Sequence, residues 1–251
     1  MTRALAPVLT ALLAACALAQ EPPESMLSLS GLSGYPGVTT ADVVPEGFLS
    51  VQGGFLYSRI SEGVQSMTAP LAAAWGLMPD LELGASLDIY LDDDRDDALL
   101  GDLGLSGKWL YETARAGNEL ALLADLSLPT GVEGRDPGAE LGMGFATSGT
   151  FRMFRLTAGF QYVLSGGHNP FGDDELTDYG RFEVGGTSFV RRDLMFFLSA
   201  TGSTAGQLVA AGGASAILGD ALKIGFVAEA ALDGHPDFSI GCLVNWGTWL
   251  Q

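Results

Sequence analysis

The sequence predicts an all-β protein, a twelve-stranded antiparallel up-and-down transmembrane β-barrel. Three observations carry that prediction. Beyond residue 46 the chain repeats blocks of about ten residues in which apolar side chains alternate with small or polar ones, each block closed by a turn signal. The 251 residues include 35 glycines, roughly 14% against about 7% in an average protein. Hydrophobic residues make up 47% and charged residues only 17%. Soluble surfaces usually carry more charge, about 25–35%.

The clearest block is Leu81-Glu-Leu-Gly-Ala-Ser-Leu-Asp-Ile-Tyr-Leu91. Leu81, Leu83, Ala85, Leu87, Ile89 and Leu91 share one face; Glu82, Gly84, Ser86, Asp88 and Tyr90 share the other. A period of two is a strand with one apolar face. The same grammar places strands at 47–58, 66–77, 81–91, 100–111, 119–129, 140–150, 155–165, 177–190, 194–203, 206–218, 221–233 and 238–250. Short turns such as Met78-Pro79-Asp80 largely alternate with longer loops such as Thr130–Ala139 and Gly166–Leu176. Even-numbered strands of about ten residues, with unequal loops at the two ends, are the pattern of outer-membrane barrels.

Which face meets lipid follows from composition. One face collects Leu103, Leu105, Trp109, Leu122, Leu126, Leu156, Phe160, Phe226, Ile240 and Val244. The other collects glycine, alanine, serine, threonine and charge. A soluble barrel would turn the large apolar set inward. Its outside would then be largely glycine, alanine and serine, so the inverted arrangement is expected: apolar to lipid, small or charged to the lumen. With the N-terminus on the periplasmic side, Trp75, Trp109, Trp246 and Trp249 fall at inner strand ends. Tyr57, Tyr90 and Tyr179 fall at outer ends, giving two expected aromatic girdles.

The N-terminus divides the chain into three expected segments. Residues 1–19 (MTRALAPVLTALLAACALA) form a signal peptide, with one Arg, an apolar run and small residues at the exit. Ala17-Leu18-Ala19 fits a signal-peptidase site before Gln20, and Leu13-Ala14-Ala15-Cys16 resembles a lipobox in which Cys16 would carry lipid. The first exit is preferred, because nothing downstream requires an anchor. Residues 20–46 form a turn-rich segment, either periplasmic or folded into the lumen, and residues 47–251 form the barrel. Cleavage after Ala19 removes Arg3, leaving 11 basic and 30 acidic residues and a single cysteine, Cys242. No intramolecular disulfide is then possible.

The net charge of −18 excludes nucleic acid as a partner, since phosphate binding needs clustered Lys and Arg. The expected partners are outer-membrane lipid, small solutes and the barrel-assembly machinery; the expected location is the bacterial outer membrane. Candidate lumen residues are Glu82, Asp88, Asp102, Lys108, Glu119, Asp125, Arg155, Arg181, Glu183, Lys223 and Glu229, together with Glu140. Eight of these are acids and four are bases, an excess of four that favours cations over anions. Neighbouring charges pair across strands at some of these positions, and the excess survives such pairing.

Other chemistry is thinly represented. The sequence has no Gly-X-Ser-X-Gly, His-Glu-X-X-His or Cys-X-X-Cys, and its histidines, His168 and His235, fall in expected outer loops beside acids. No catalytic set and no cofactor are expected. Asp92, Asp93, Asp94, Asp96 and Asp97 could offer oxygen ligands to Ca²⁺ or Mg²⁺, but the run lacks the EF-hand order and is read as a solvated acidic loop.

Three ordered motifs carry a family resemblance: Pro70-Leu-Ala-Ala-Ala-Trp-Gly-Leu-Met-Pro-Asp-Leu-Glu-Leu-Gly84, Gly101-Asp-Leu-Gly-Leu-Ser-Gly-Lys108 and Leu126-Ser-Leu-Pro-Thr-Gly131. With Gly34-Tyr-Pro-Gly-Val-Thr-Thr-Ala-Asp-Val-Val-Pro-Glu-Gly47, they resemble outer-membrane transporters of the putative phenol-degradation (MetA-type) family, over roughly residues 31–165. The resemblance implies a bacterial outer-membrane barrel that passes small organic or aromatic compounds. The chain departs from the common barrel ending, an aromatic C-terminal residue, by closing on Trp249-Leu250-Gln251.

Overall fold

The computed structural model describes residues 26–61, 64–93, 100–114, 118–131, 139–165, 178–191, 193–218, 222–233 and 236–250. The signal peptide of residues 1–19, Cys16, His168 and His235 lie outside these residues, as do the side chains of the Asp92–Asp97 run. Three short strands come first: β1 (Met26–Leu27), β2 (Ser33–Tyr35) and β3 (Val38–Thr39). Twelve long strands follow. They are β4 (Phe48–Ser61), β5 (Val64–Met78), β6 (Leu81–Asp93), β7 (Leu100–Ala114), β8 (Asn118–Leu128) and β9 (Glu140–Phe151). The second half comprises β10 (Phe154–Ser165), β11 (Tyr179–Arg191), β12 (Leu194–Ser203), β13 (Gln207–Leu218), β14 (Leu222–Asp233) and β15 (Phe238–Trp249).

Each long strand pairs antiparallel with the next, and β15 returns to β4 through an unbroken register from Phe238↔Arg59 to Trp249↔Phe48. Closure leaves no open edge, the condition for placing strands in hydrocarbon. All twelve expected strands are present, with ends displaced by three residues at most.

The alternation sorts as expected. Leu105, Trp109, Leu122, Leu126, Leu156, Phe160, Phe226, Ile240 and Val244 are all exposed on the outside. Apolar side chains left in contact with the surroundings on this scale require lipid rather than water. Cys242 shares this face, opposite Phe226 and Phe55. A nitroxide attached at Cys242 in reconstituted protein is expected to collide more often with oxygen than with a water-soluble nickel chelate. The reverse ratio would turn the face toward water.

The first described strands lie inside the barrel. β1, β2 and β3 form a small antiparallel sheet packed against inward-facing wall residues. Tyr35-Pro36-Gly37-Val38 makes the link from β2 to β3, with Pro36 at the second position and Gly37 at φ 82°, as a type II turn requires. At the far end of this inner segment, Gly47 donates its N–H to Gly76 O at 2.8 Å and accepts from Leu250 N at 2.7 Å. The entry to β4 is thereby tied to both β5 and the end of β15.

Candidate functional site

The lumen is built in two parts. Among the described residues, the inner segment fills the half nearest the short turns, and the half nearest the long loops is lined by the wall alone.

The filled half is sealed by apolar packing. Met26, Tyr35 and Val38 cluster with Phe189, Met195, Phe197, Val227 and Leu243 from the wall. Leu32 and Ala41 pack on Ala121, Leu123 and Ala146, while Leu27 and Val44 pack on Ala72 and Ala74. This corrects the expectation that the wall is only small or charged on its inner side. Phe189, Met195, Phe197 and Leu243 point inward because the inner segment supplies them with an apolar partner, so they meet no water. Burying a Met, Leu, Val or Phe side chain contributes about 1.5–3 kcal/mol, and the segment buries several.

Glycines on the wall make room for this packing. A Cβ at Gly84 would collide with the Gly31 backbone, and one at Gly185 would collide with the Tyr35 ring. Gly31 itself sits at φ 84° against the Ala85 backbone, so it tolerates no side chain on either count. Gly31→Val is expected to displace the segment, read as faster tryptic cleavage of the N-terminal region in the assembled barrel.

Short inner strands leave most of their N–H and C=O groups without a ladder, and wall side chains satisfy them. Gln52 clamps Leu27, accepting from its N–H at 3.3 Å and donating to its carbonyl at 3.1 Å. Ser148 Oγ accepts from Ala41 N at 2.9 Å, and Glu183 Oε1 accepts from Thr39 N at 3.1 Å. Ser106 and Ser199 donate to the Ser30 and Pro36 carbonyls.

Two charged anchors stand out. Glu82 and Lys108 face each other across β6 and β7, both with 0% exposed side chains, and their Nζ–Oε2 distance is 3.3 Å. Glu82 accepts from Val44 N at 2.7 Å and from the Ser33 N–H, and Ser33 Oγ bonds Oε2 at 2.7 Å. Lys108 donates to the Ser33 and Thr40 carbonyls at 3.2 and 3.1 Å. The pair thus holds both β2 and the chain beyond β3. The second anchor is Arg155, whose Nη2 lies 2.8 Å from Asp42 Oδ1 and also bonds Glu119.

Burial alone would raise the Asp42 carboxyl, but the charges of Arg155 and Lys108 outweigh it and hold the group below its ordinary value of 3.8. A carboxyl depressed by folding stabilises the folded arrangement above that ordinary value and loses the contribution as pH falls through the lowered one. The Asp42 contact is therefore expected to persist at pH 4.5 and to fail only below about 3.8. Acid-dependent exposure of the inner segment to pepsin in wild type against Asp42→Asn checks this.

In the unfilled half the polar side chains form a ladder across β7 to β11. Asp102 Oδ1 accepts from Gly131 N at 2.9 Å, and Gln161 Nε2 donates to Asp125 Oδ2. The Tyr179 hydroxyl donates to Glu140 at 3.1 Å, and Arg181 lies 4.0 Å from the same carboxylate. Arg181 also donates to Gln161 Oε1 at 3.5 Å. Tyr179 is placed here, inside the lumen, and not on the outer girdle expected of it.

The other expected residues are spread around the barrel. Asp88 is exposed on β6 opposite Pro70, Lys223 lies near the start of β14 opposite Asn245, and Glu229 lies on β14 between Ala211 and Ser239. Trp75, Trp109, Trp246 and Trp249 are exposed at the strand ends nearest the inner segment, with Trp249 edge-on to Phe48 at 5.2 Å. Tyr57 donates to Gln65 at 2.8 Å at the other end, and Tyr90 is half-buried opposite Thr68. Among the described residues no group of three His, Cys, Asp or Glu is placed to hold a metal ion.

No family model and no curated protein sequence matches the chain. Solved structures do. The COG4313 outer membrane channel from Pseudomonas putida F1 superimposes with a TM-score of 0.68 at 13% identity, over 83% of this chain and 98% of that one. The chain has an outer-membrane β-barrel fold. A KdgM porin gives a TM-score of 0.55 at 6% identity, over 78% of this chain and 98% of that one. A KdgM porin in complex with disordered oligogalacturonate gives 0.57 at 5%, with the same coverage. At these identities the likeness concerns the barrel and not its contents. The MetA-type family is not among these matches, so that resemblance rests on the ordered motifs alone.

Proposed function

We propose that the barrel is an outer-membrane channel for passive passage of small solutes, with a mild preference for cations and with small organic or aromatic compounds among its substrates. The observation that carries the reading is a polar half-lumen stacked on a half filled, among the described residues, by an inner segment outside the barrel ladder. A purely structural barrel has no need of two such halves. The acid excess on the wall supplies the cation preference, since a low-dielectric tube concentrates the field of its fixed charges. The organic substrate class rests on the motif resemblance. No catalytic role is assigned, since Glu82, Lys108, Arg155 and Glu183 hold the inner segment and Glu140, Gln161 and Arg181 bond one another.

In this reading residues 20–46 act as a plug, and passage requires their partial displacement. The three apolar clusters favour a second reading, a non-conducting barrel with a surface role, in which the plug never leaves. Single-channel recording in planar bilayers under a KCl gradient separates the two. Discrete steps with a cation-leaning reversal potential support the channel, whereas an inserted, heat-modifiable barrel without steps supports the second reading. Asp125→Asn is expected to move the reversal potential toward zero by a few millivolts, because one of the fixed wall charges is lost.

A further inference from the structure

The anchors of the inner segment are not equivalent. Glu82 is closed on Lys108, Ser33 and Val44, and Arg155 is closed on Asp42 and Glu119. Glu183 differs: among the described residues its carboxylate accepts one hydrogen bond, from Thr39 N at 3.1 Å. Thr39 belongs to β3, so this bond ties the β2–β3 hairpin to the wall.

Arg181 stands two residues away on the same inward face of β11, and its guanidinium is loosely held. Its contacts with Gln161 Oε1 and the Tyr179 hydroxyl are both 3.5 Å, and that with Glu140 is 4.0 Å, the outer limit for such bonds. Its side chain is 41% exposed. Glu140 does not depend on it, because the Tyr179 hydroxyl lies 3.1 and 3.3 Å from the two Glu140 oxygens.

The wall leaves a path between the two side chains. Glu183 faces Gly159 on β10, and Arg181 faces Gln161 on the same strand. A Cβ at Gly159 would stand 2.6 Å from Glu183 Oε1, so the carboxylate lies over bare β10 backbone. The guanidinium reaches the next inward residue of that strand, Gln161. Two residues along a strand span about 6.8 Å, within the reach of a glutamate and an arginine turning toward each other. Charge already acts across that gap: Arg181 attracts the Glu183 carboxylate and Asp125 repels it. At contact, an Arg–carboxylate pair is bidentate and stronger than a bond from a neutral N–H.

We propose that Glu183 is a two-position latch, bonded to the Thr39 N–H while the inner segment is docked and to Arg181 once β3 leaves the wall. An inward carboxylate that loses its donor is costly to keep unless a cation completes it, and Arg181 supplies that cation from the wall itself. This deepens the channel reading and rests on the displacement of the segment that the reading requires. The latch carries a sign that a merely supporting Arg181 would not give: removing the cation holds the segment more tightly.

The test is amide hydrogen exchange of the peptide spanning residues 33–40 in the reconstituted full-length barrel, which reads openings of the segment whether or not ions pass. In Arg181→Met, exchange is expected to slow at least about threefold, because the opened state loses its partner. Arg181→Lys should restore most of the wild-type rate. In a Glu183→Gln background, Arg181→Met should change the rate little, since the carboxylate that pairs with it is gone. Unchanged or faster exchange in Arg181→Met, or the same slowing in the Glu183→Gln background, overturns the proposal. Planar-bilayer recording on the same variants separates the latch from the channel. Exchange that slows as stated in a barrel that never conducts sustains the latch and overturns the channel. Conduction with exchange indifferent to Arg181 overturns the latch and sustains the channel.

Discussion

Removing residues 24–44 while leaving Pro45–Gly47 to start β4 is expected to raise single-channel conductance severalfold. The segment occupies the half of the lumen nearest the short turns with buried side chains of Met26, Leu27, Leu32, Tyr35 and Val38, and a packed half-lumen passes no ions. Its removal exposes the Phe189, Met195, Phe197 and Leu243 surface to water but breaks none of the twelve strand pairings. The barrel ladder, and hence assembly, should persist as a heat-modifiable band. The measurement is conductance in planar bilayers for the full and shortened chains side by side. Identical conductance would mean that the plug is not the resistance of the channel, and absence of conductance in both would favour the structural reading.

Lys108→Met should be the most damaging single substitution in the lumen. It leaves the Glu82 carboxylate fully buried without its counter-charge, a change that costs about 3–5 kcal/mol when one partner of a buried pair is removed. It also strips the donor from the Ser33 and Thr40 carbonyls. The loss falls on the inner segment, since β6 and β7 remain joined through their backbone ladder. The expected result is an intact barrel with an undocked segment: strong protease sensitivity before residue 46 and flickering, enlarged conductance. Glu82→Gln with Lys108→Met should be milder than Lys108→Met alone, because no buried charge is then orphaned. A double variant as severe as the single one would show that the hydrogen bonds, and not the charge, hold the segment.

The strands were legible because a lipid-spanning strand satisfies its backbone through its neighbours, leaving side-chain alternation as the dominant pattern. Leu81–Leu91 alone displays it, and β6 starts at the expected residue. The lumen anchors were half legible. Glu82, Lys108, Glu119, Arg155 and Glu183 fall on the inward face by parity, yet nothing in parity says that Ser33, Asp42, Val44 and Thr39 reach them across 38 to 144 residues of chain. Gln52 and Ser148 escaped notice because one polar residue on a strand carries no chemistry until a backbone group arrives opposite it. That Phe189 and Phe197 face inward is not legible for the related reason that alternation does not count what occupies the lumen. The excess of glycine was the available sign: Gly84, Gly185 and Gly225 sit where Gly31, Tyr35 and Met26 press against the wall.

Topology, strand count and lipid-facing side were thus written locally, in period-two alternation and turn residues, because each strand needs only its neighbours and the hydrocarbon to be defined. The position of residues 26–46 was not. Their apolar side chains and turns suit either compartment, and the choice depends on whether distant wall residues offer matching pockets and donors. Closure of β15 on β4 brings Leu243, Phe197, Lys108 and Arg155 around one volume. Burial and ion pairing there outweigh the entropy of a free tail, and so the N-terminal segment is held inside the barrel.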